Sequence, residues 1–294
     1  MLSNLYIGIT LASIFLLVGL GLTFTFGQMG VINMAHGEFI MAGAYVPYVL
    51  QTTVLDGAHG IAVLMALPVA FIVAGTMGAV LERVLVRRMH GRPLDTLLVT
   101  FGVSLVLQQA AKDLFSANNK DVATPTFLRG QWHLFGVGLT HTRLFVLLVV
   151  AVTVLGVWLF MSKLPAGRRM RAVMQNRDLA SVSGLRTSRV DSTTFFLGSG
   201  LAGVAGVAVS LIGPIGTGTG GAYILSAFLV VIVGGLGKLR GVLIAAVMLG
   251  VLNSFVEYWT SPTLGRAALF AFVILFLQFR PQGVVTFRSR GLLA

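Results

Sequence analysis

No cysteine occurs in the 294 residues, which rules out disulfides and thiolate metal sites. Charge is scarce as well: 10% of the residues are Asp, Glu, Lys or Arg, where soluble domains carry about a quarter. In its place stand 56% hydrophobic residues and a mean hydropathy of +0.92. A chain of this length cannot hide so much apolar surface from water. Its solvent is lipid, and the sequence reads as an all-α, polytopic integral membrane protein. Also missing is the basic n-region of a cleavable signal peptide. The start MLSNLYIGIT leads into an apolar run long enough to span, so the membrane domain is expected to begin at residue 1.

A spanning helix needs roughly 20 apolar residues to cross about 30 Å of hydrocarbon. Nine segments answer to that, some marginally: about 4–26, 28–52, 59–82, 96–112, 143–161, 191–212, 222–237, 241–258 and 265–279. Eight to ten crossings are expected, in a single transmembrane domain over 1–294. Three polar connections interrupt them: LVRRMHGRPLD at 85–95, the stretch 112–143 with an external loop over 113–142, and the stretch 162–191 with a basic loop over 162–190.

The formal net charge of +12 would, in a soluble protein, raise the question of nucleic acid. The positions of the charges answer it. Threading nine spans with the N-terminus outside gathers sixteen Lys and Arg on the cytoplasmic side: four from Arg83 to Arg92, seven from Lys163 to Arg189, then Lys238, Arg240, Arg280, Arg288 and Arg290. Five stay outside: Lys112, Lys120, Arg129, Arg143 and Arg266. Basic residues accumulate in cytoplasmic loops, so the N-terminus is expected outside and the C-terminus in the cytoplasm. The basic balance reflects topology, with lipid rather than nucleic acid as the partner.

Two glycine-rich breaks occupy comparable places in the two halves, near 27–37 (GQMGVINMAHG) and 213–221 (GPIGTGTGG). In this threading they enter from opposite sides, the parity of an inverted repeat with broken helices. The first break holds Gln28, Asn33, His36 and Glu38 among apolar neighbours. An ionisable group at that depth costs at least about 2.5–3.5 kcal/mol on insertion scales, so it usually faces protein or a water-filled path. On a regular helix Glu38 lies about 160° from His36. Either the helix opens near Gly37, or Asn33 and His36 face one environment while Glu38 points at another helix. Glu38 is then a buried structural acid or a lining group of a substrate route. Both readings stay open for the four residues.

Other chemistry lacks its pattern. The histidines His59, His90, His133 and His141 lie in or near loops without metal-ligand spacing. GSGLAG at 198–203 fits a dinucleotide fingerprint but sits inside an apolar span, not after a strand. Its Gly198, with Ala202 and Gly206, recurs every four residues, the small-xxx-small face on which membrane helices approach closely. GGLGKL at 234–239 is out of register for a phosphate loop, since position 232 is Ile. No catalytic triad or carboxylate pair stands out, and the chain is read as no enzyme.

Within the basic loop, RDLASVSGL reads as a short helix. Asn176 or Asp178 can cap its start, and Gly184 can end it in the left-handed conformation. Leu179, Ala180, Val182 and Leu185 give it an apolar surface. That surface suits docking into a partner's groove or, equally, lying in the lipid headgroup zone.

GLGLTFTFGQMGVINMAHGEFIMAGAYV resembles the opening of the permeases of branched-chain amino acid ABC importers. RRMRAVMQNRDLASVSGLRTSRVDSTTFFLGSGLAGVAGV is similar to that family's cytoplasmic loop and following helix, and the resemblance runs on to LQFRPQGVV. MGVINMAHGEF, MQNRD and LGSGLAGVAGVAVSLIGPIG look most like the urea-transporting branch, the UrtB-type permeases. The sequence departs from the family at GTGTGGAYILSAF (216–228), where a more polar stretch would be expected. The resemblance implies a bacterial inner-membrane permease working by alternating access. It also implies a second related permease forming a heterodimer, two ATP-binding subunits that hold ATP and Mg, and a periplasmic substrate-binding protein. No cofactor is then bound by this chain. The short helix becomes the coupling helix, with Asn176, Arg177, Asp178, Ala180 and Gly184 on motif positions and Leu179 and Val182 as packing residues. Urea is the expected substrate; a branched-chain amino acid, which would use helix-end dipoles and an apolar pocket, is the alternative. A passive channel or ion-coupled carrier with Glu38 as its ion site is a reading from another class.

Overall fold

The computed structural model of the protein describes residues 1–89, 91–134 and 137–285, with only the backbone of Gln28 and Leu134. His90, Arg288 and Arg290, which enter the sequence reading, lie outside the described residues. Eleven α-helices form among the described residues: α1 (Leu2–Met29), α2 (His36–Val49), α3 (His59–Val84), α4 (Pro93–Phe115), α5 (His141–Lys163), α6 (Pro165–Gln175), α7 (Arg177–Val182), α8 (Thr187–Ser210), α9 (Thr219–Gly234), α10 (Leu239–Trp259) and α11 (Pro262–Phe279). Each of the nine apolar segments has its helix. Seven of them are long and apolar enough to cross a membrane: α1, α3, α4, α5, α8, α10 and α11. The other two, α2 and α9, have 14 and 16 residues and rise only about 21 and 24 Å.

These two short helices are the far sides of the two breaks. Helix α1 ends at Met29 on Gly30, whose φ of 64° is the left-handed cap that glycine adopts without strain. Residues 30–35 then double back, because His36 starts α2 beside Val18 and Gly21, well before the end of α1. The second unit repeats this with the opposite sense. Helix α8 ends at Ser210, residues 211–218 turn back, and α9 starts where Gly220 lies against Gly37. From that crossing α2 runs on into a π-helical turn (Leu50–Val54) whose Gln51 amide holds both backbone groups of Ala123, while α9 runs the other way to Gly234, against Gly241. One end of the bundle therefore holds α6, α7 and the starts of α8 and α10. The far end holds residues 116–140, which include a small hairpin of β1 (Gln131–Leu134) and β2 (Val137–Thr140).

Helix α8 is the centre, buried at every residue from Gly198 to Ser210. Its small residues make this possible. Gly198 meets the backbone of Gly21 in α1, Gly203 that of Ala70 in α3, and Gly206 that of Ile40 and Ala44 in α2; Ala202 is fully buried between these contacts. A Cβ at any of the three glycines would overlap main-chain atoms. Because lipid offers no hydrophobic drive to bring helices together, backbone approach at small residues supplies the contact area instead.

Gly206→Val should therefore lower the thermal unfolding midpoint of the detergent-purified protein. Overpacking of about 1–3 kcal/mol corresponds to a drop of roughly 2–10 °C for a chain of this size. Gly102→Val, at a glycine of α4 with open space around it, should leave the midpoint unchanged.

Candidate functional site

The first break places its polar residues in two environments. Asn33 Oδ1 accepts the N–H of Ala35 at 3.1 Å and the Asn33 carbonyl accepts that of His36 at 3.3 Å, so Asn33 shapes the turn into α2. Its Nδ2 is buried without a partner. His36 lies fully buried with Nε2 3.3 Å from the Val18 carbonyl, and its Nδ1 likewise has no partner. Glu38 points elsewhere. Its Oε1 accepts Ser104 Oγ and Gln108 Nε2 of α4, each at 2.8 Å, leaving Oε2 unbonded. Helix α2 is continuous through His36, Gly37 and Glu38, so the chain opens at 30–35 and not at Gly37, and Glu38 points at another helix, the second of the two alternatives. The side chain of Gln28 lies outside the described residues.

Helix α4 supplies partners that the sequence reading did not single out. Thr100 Oγ1 accepts the N–H of Met34 at 3.1 Å and reaches the Ile32 carbonyl at 3.3 Å, satisfying the backbone of the break. Thr96, Thr100, Ser104 and Gln108 recur every four residues, so they line one face. That period was the available signal: a polar stripe on an otherwise apolar span. Outward, Leu98, Leu105 and Val106 are exposed.

Where Gly37 crosses Gly220, the N-termini of α2 and α9 come together half-way along the bundle. Helix N-termini present unpaired N–H groups and partial positive charge. Close to them lie the spare donor of Asn33 and the spare ring nitrogen of His36. Asn33 and His36 are both fully buried, so these spare groups would meet a solute only when the half-helices move apart. Among the described residues no group of three or more His, Asp or Glu side chains could hold a metal ion.

A second constellation lies at the end carrying α7. Asn176 Oδ1 caps that helix by accepting the N–H of Leu179 at 2.9 Å, Asp178 sits in its first turn, and Gly184 follows with φ 83°. Ala180 is buried, whereas Leu179 and Val182 are 65% and 89% exposed and form an apolar knob on the surface. Arg177 anchors the helix: its two Nη atoms donate to the carboxylate of Asp191 in α8 at 3.0 and 2.6 Å. The hydrogen bonds that Arg177 donates to Asp191 push its pKa up, against the partial burial that lowers it. Next to Asp191, Ser192 donates to the fully buried Glu82 of α3 at 2.6 Å, and Arg87 grips the same carboxylate with Nε at 3.1 Å and Nη2 at 3.0 Å. Two carboxylates thus tie α3, α7 and α8 into one body. The sequence reading named Arg177 but not Asp191 or Glu82.

The family described as branched-chain amino acid transport system / permease component matches residues 4–278. The chain is similar to the high-affinity branched-chain amino acid transport system permease protein BraD of Pseudomonas aeruginosa, 30% identical over 294 residues that cover 97% of this chain and 95% of that one. It is 29% identical to the permease protein LivH of Escherichia coli K12 with the same coverage. To LivM of E. coli K12 it is 26% identical over 303 residues, covering 94% of this chain and 68% of that one. No solved structure matches.

Glu38→Gln keeps an oxygen for Ser104, and should retain folding and transport, whereas Glu38→Ala should destabilise by about 1–3 kcal/mol through the unsatisfied groups of α4. Thermal melts in detergent separate the two variants. Loss of transport in Glu38→Gln with an unchanged melt would instead mark Glu38 as an ion site.

Proposed function

Because the chain belongs to the branched-chain amino acid transport system permease family, we propose that it is one permease subunit of an ATP-driven importer for small amino acids of that class. The observation that carries this reading is similarity over nearly the whole length to BraD and LivH, both named for branched-chain amino acid transport. The urea expectation has no counterpart among these relatives. Urea is the rival substrate against which amino acids should be tested.

In this proposal the protein sits in a bacterial inner membrane, N-terminus outside, with the α7 end in the cytoplasm as the distribution of Lys and Arg favours. A second, related permease completes the pathway; likeness to both LivH and LivM, two permease proteins bearing one system's name, supports a heterodimer. Two ATP-binding subunits hold ATP and Mg, and a periplasmic protein delivers the substrate. Leu179 and Val182 dock into an ATPase groove. Closure of the ATPases moves α7, and the Arg177–Asp191 pair passes that motion to α8. Helix α8 touches α1, α2 and α3 through its small residues, so its displacement reaches the crossing of the half-helices. There Asn33 and His36 offer hydrogen bonds to the passing solute.

Reconstituted with its partners, the complex should take up radiolabelled leucine only with ATP, and an excess of urea should not compete. Flux without ATP-binding subunits would favour a channel or carrier instead. Asn33→Ala should reduce uptake severalfold with assembly intact; unchanged transport would remove Asn33 from the route. Leu179→Asp combined with Val182→Asp should abolish co-purification of the ATPase subunits while leaving the permease melt unaltered.

A further inference from the structure

Two adjoining cavities of about 100 and 160 Å³ lie between α1, α9, α10 and α11, reaching from the first turns of α9 to Glu257 and Arg266 toward the far end of the bundle and sharing Ala222, Ser226, Arg266 and Leu269 in their walls. The first also has Glu257 and Asn253 of α10 and Tyr223 of α9. A full positive and a full negative charge therefore border one hollow. They do not neutralise each other: neither Glu257 nor Arg266 forms an ion pair among the described residues. Glu257 Oε1 accepts from Asn253 Nδ2 at 2.7 Å, which turns Asn253 Oδ1 into a second acceptor, buried and without a partner. The remaining wall is apolar, with Leu11, Phe15, Leu225 and Phe270.

Such a site is incomplete as it stands. Arg266 is exposed and Glu257 half-buried, so the hollow is open at its charged side, and the buried group it leaves without a partner is Asn253 Oδ1. A neutral solute would engage neither charge. A zwitterion with an apolar side chain fits each part: its carboxylate on the guanidinium, where charge-assisted hydrogen bonds are strong, its ammonium on Glu257 and the Asn253 carbonyl oxygen, and its side chain against the apolar wall. Location agrees with this use. Tyr258 and Trp259 are exposed beside the cavity, as aromatic residues are at a membrane–water boundary, and α7 lies at the opposite end.

We propose that the cavity between Arg266 and Glu257 is an outer subsite that receives a small zwitterionic amino acid before it reaches the half-helix crossing. This rests on the reading of the protein as an amino acid importer, and it supplies what the neutral groups around Asn33 do not, recognition of both charges. The test uses the complete complex in nanodiscs without binding protein, with radiolabelled leucine displaced by leucinamide, which lacks the carboxylate, or by 4-methylpentanoate, which lacks the ammonium. Both should compete poorly in the wild type. Arg266→Gln should weaken leucine binding about tenfold or more and erase the disadvantage of leucinamide alone. Glu257→Gln should do the same for 4-methylpentanoate alone, and Arg266→Lys should restore part of the leucine affinity. In the wild type, leucine but not leucinamide should shield Arg266 from phenylglyoxal, read by mass spectrometry of the peptide; this arm requires no variant to fold. Leucine uptake by wild type and variants alike, with no shielding, would overturn the subsite and leave the importer reading intact. Transport of urea with no leucine binding at all would overturn both.

Discussion

In hydrocarbon every backbone N–H and C=O must find its partner within the protein, and residues 30–35 are one stretch in which this protein meets that demand without a helix. Asn33 answers for Ala35 and His36, and Thr100 answers for Met34 and Ile32. The same requirement explains α4. A helix with so little buried surface holds to the body chiefly through Thr100, Ser104 and Gln108, which reach the break and the acid just beyond it. Remove the break and α4 has no reason to carry a polar stripe. Remove the stripe and the break loses the partners of the Ile32 carbonyl and the Met34 N–H.

Buried acids do different work in two places. Glu38 is bonded by neutral donors only, which fixes α2 to α4 without a counter-ion. Glu82 and Asp191 are each gripped by an arginine, at the end where helices leave the apolar layer. Partner and position agree: an arginine reaches water from a helix end, so its charge costs less there than further along the bundle. The short helix α7 is thereby fastened to the most buried helix of the bundle and not merely tethered by its loop.

Much of this was legible in the sequence. Hydropathy located all nine apolar helices because lipid imposes a length and a composition on each. Glycines marked both breaks, and the spacing of Gly198, Ala202 and Gly206 pointed to the face on which α8 approaches α1 and α2. Asn176 and Gly184 announced the ends of α7 because capping is local chemistry. Pairing was not legible. Asp191 lies fourteen residues beyond Arg177, and Glu38 meets Gln108 seventy residues away. Arg266 counted only as an external charge and Glu257 attracted no notice, since each sits singly near a helix end and only the packing of α10 on α11 brings them to one hollow. Helix period fixes which face a residue occupies; it does not say which helix lies opposite.

The crossing of Gly37 and Gly220 is bare of side chains on both partners. Where neighbouring helices mesh through branched side chains, rocking must lift one set of branches over another. At this crossing there are no branches to clear. The two half-helices can scissor about a smooth fulcrum, and the resistance to that motion is set by the hydrogen-bonded straps at their outer ends rather than at the pivot.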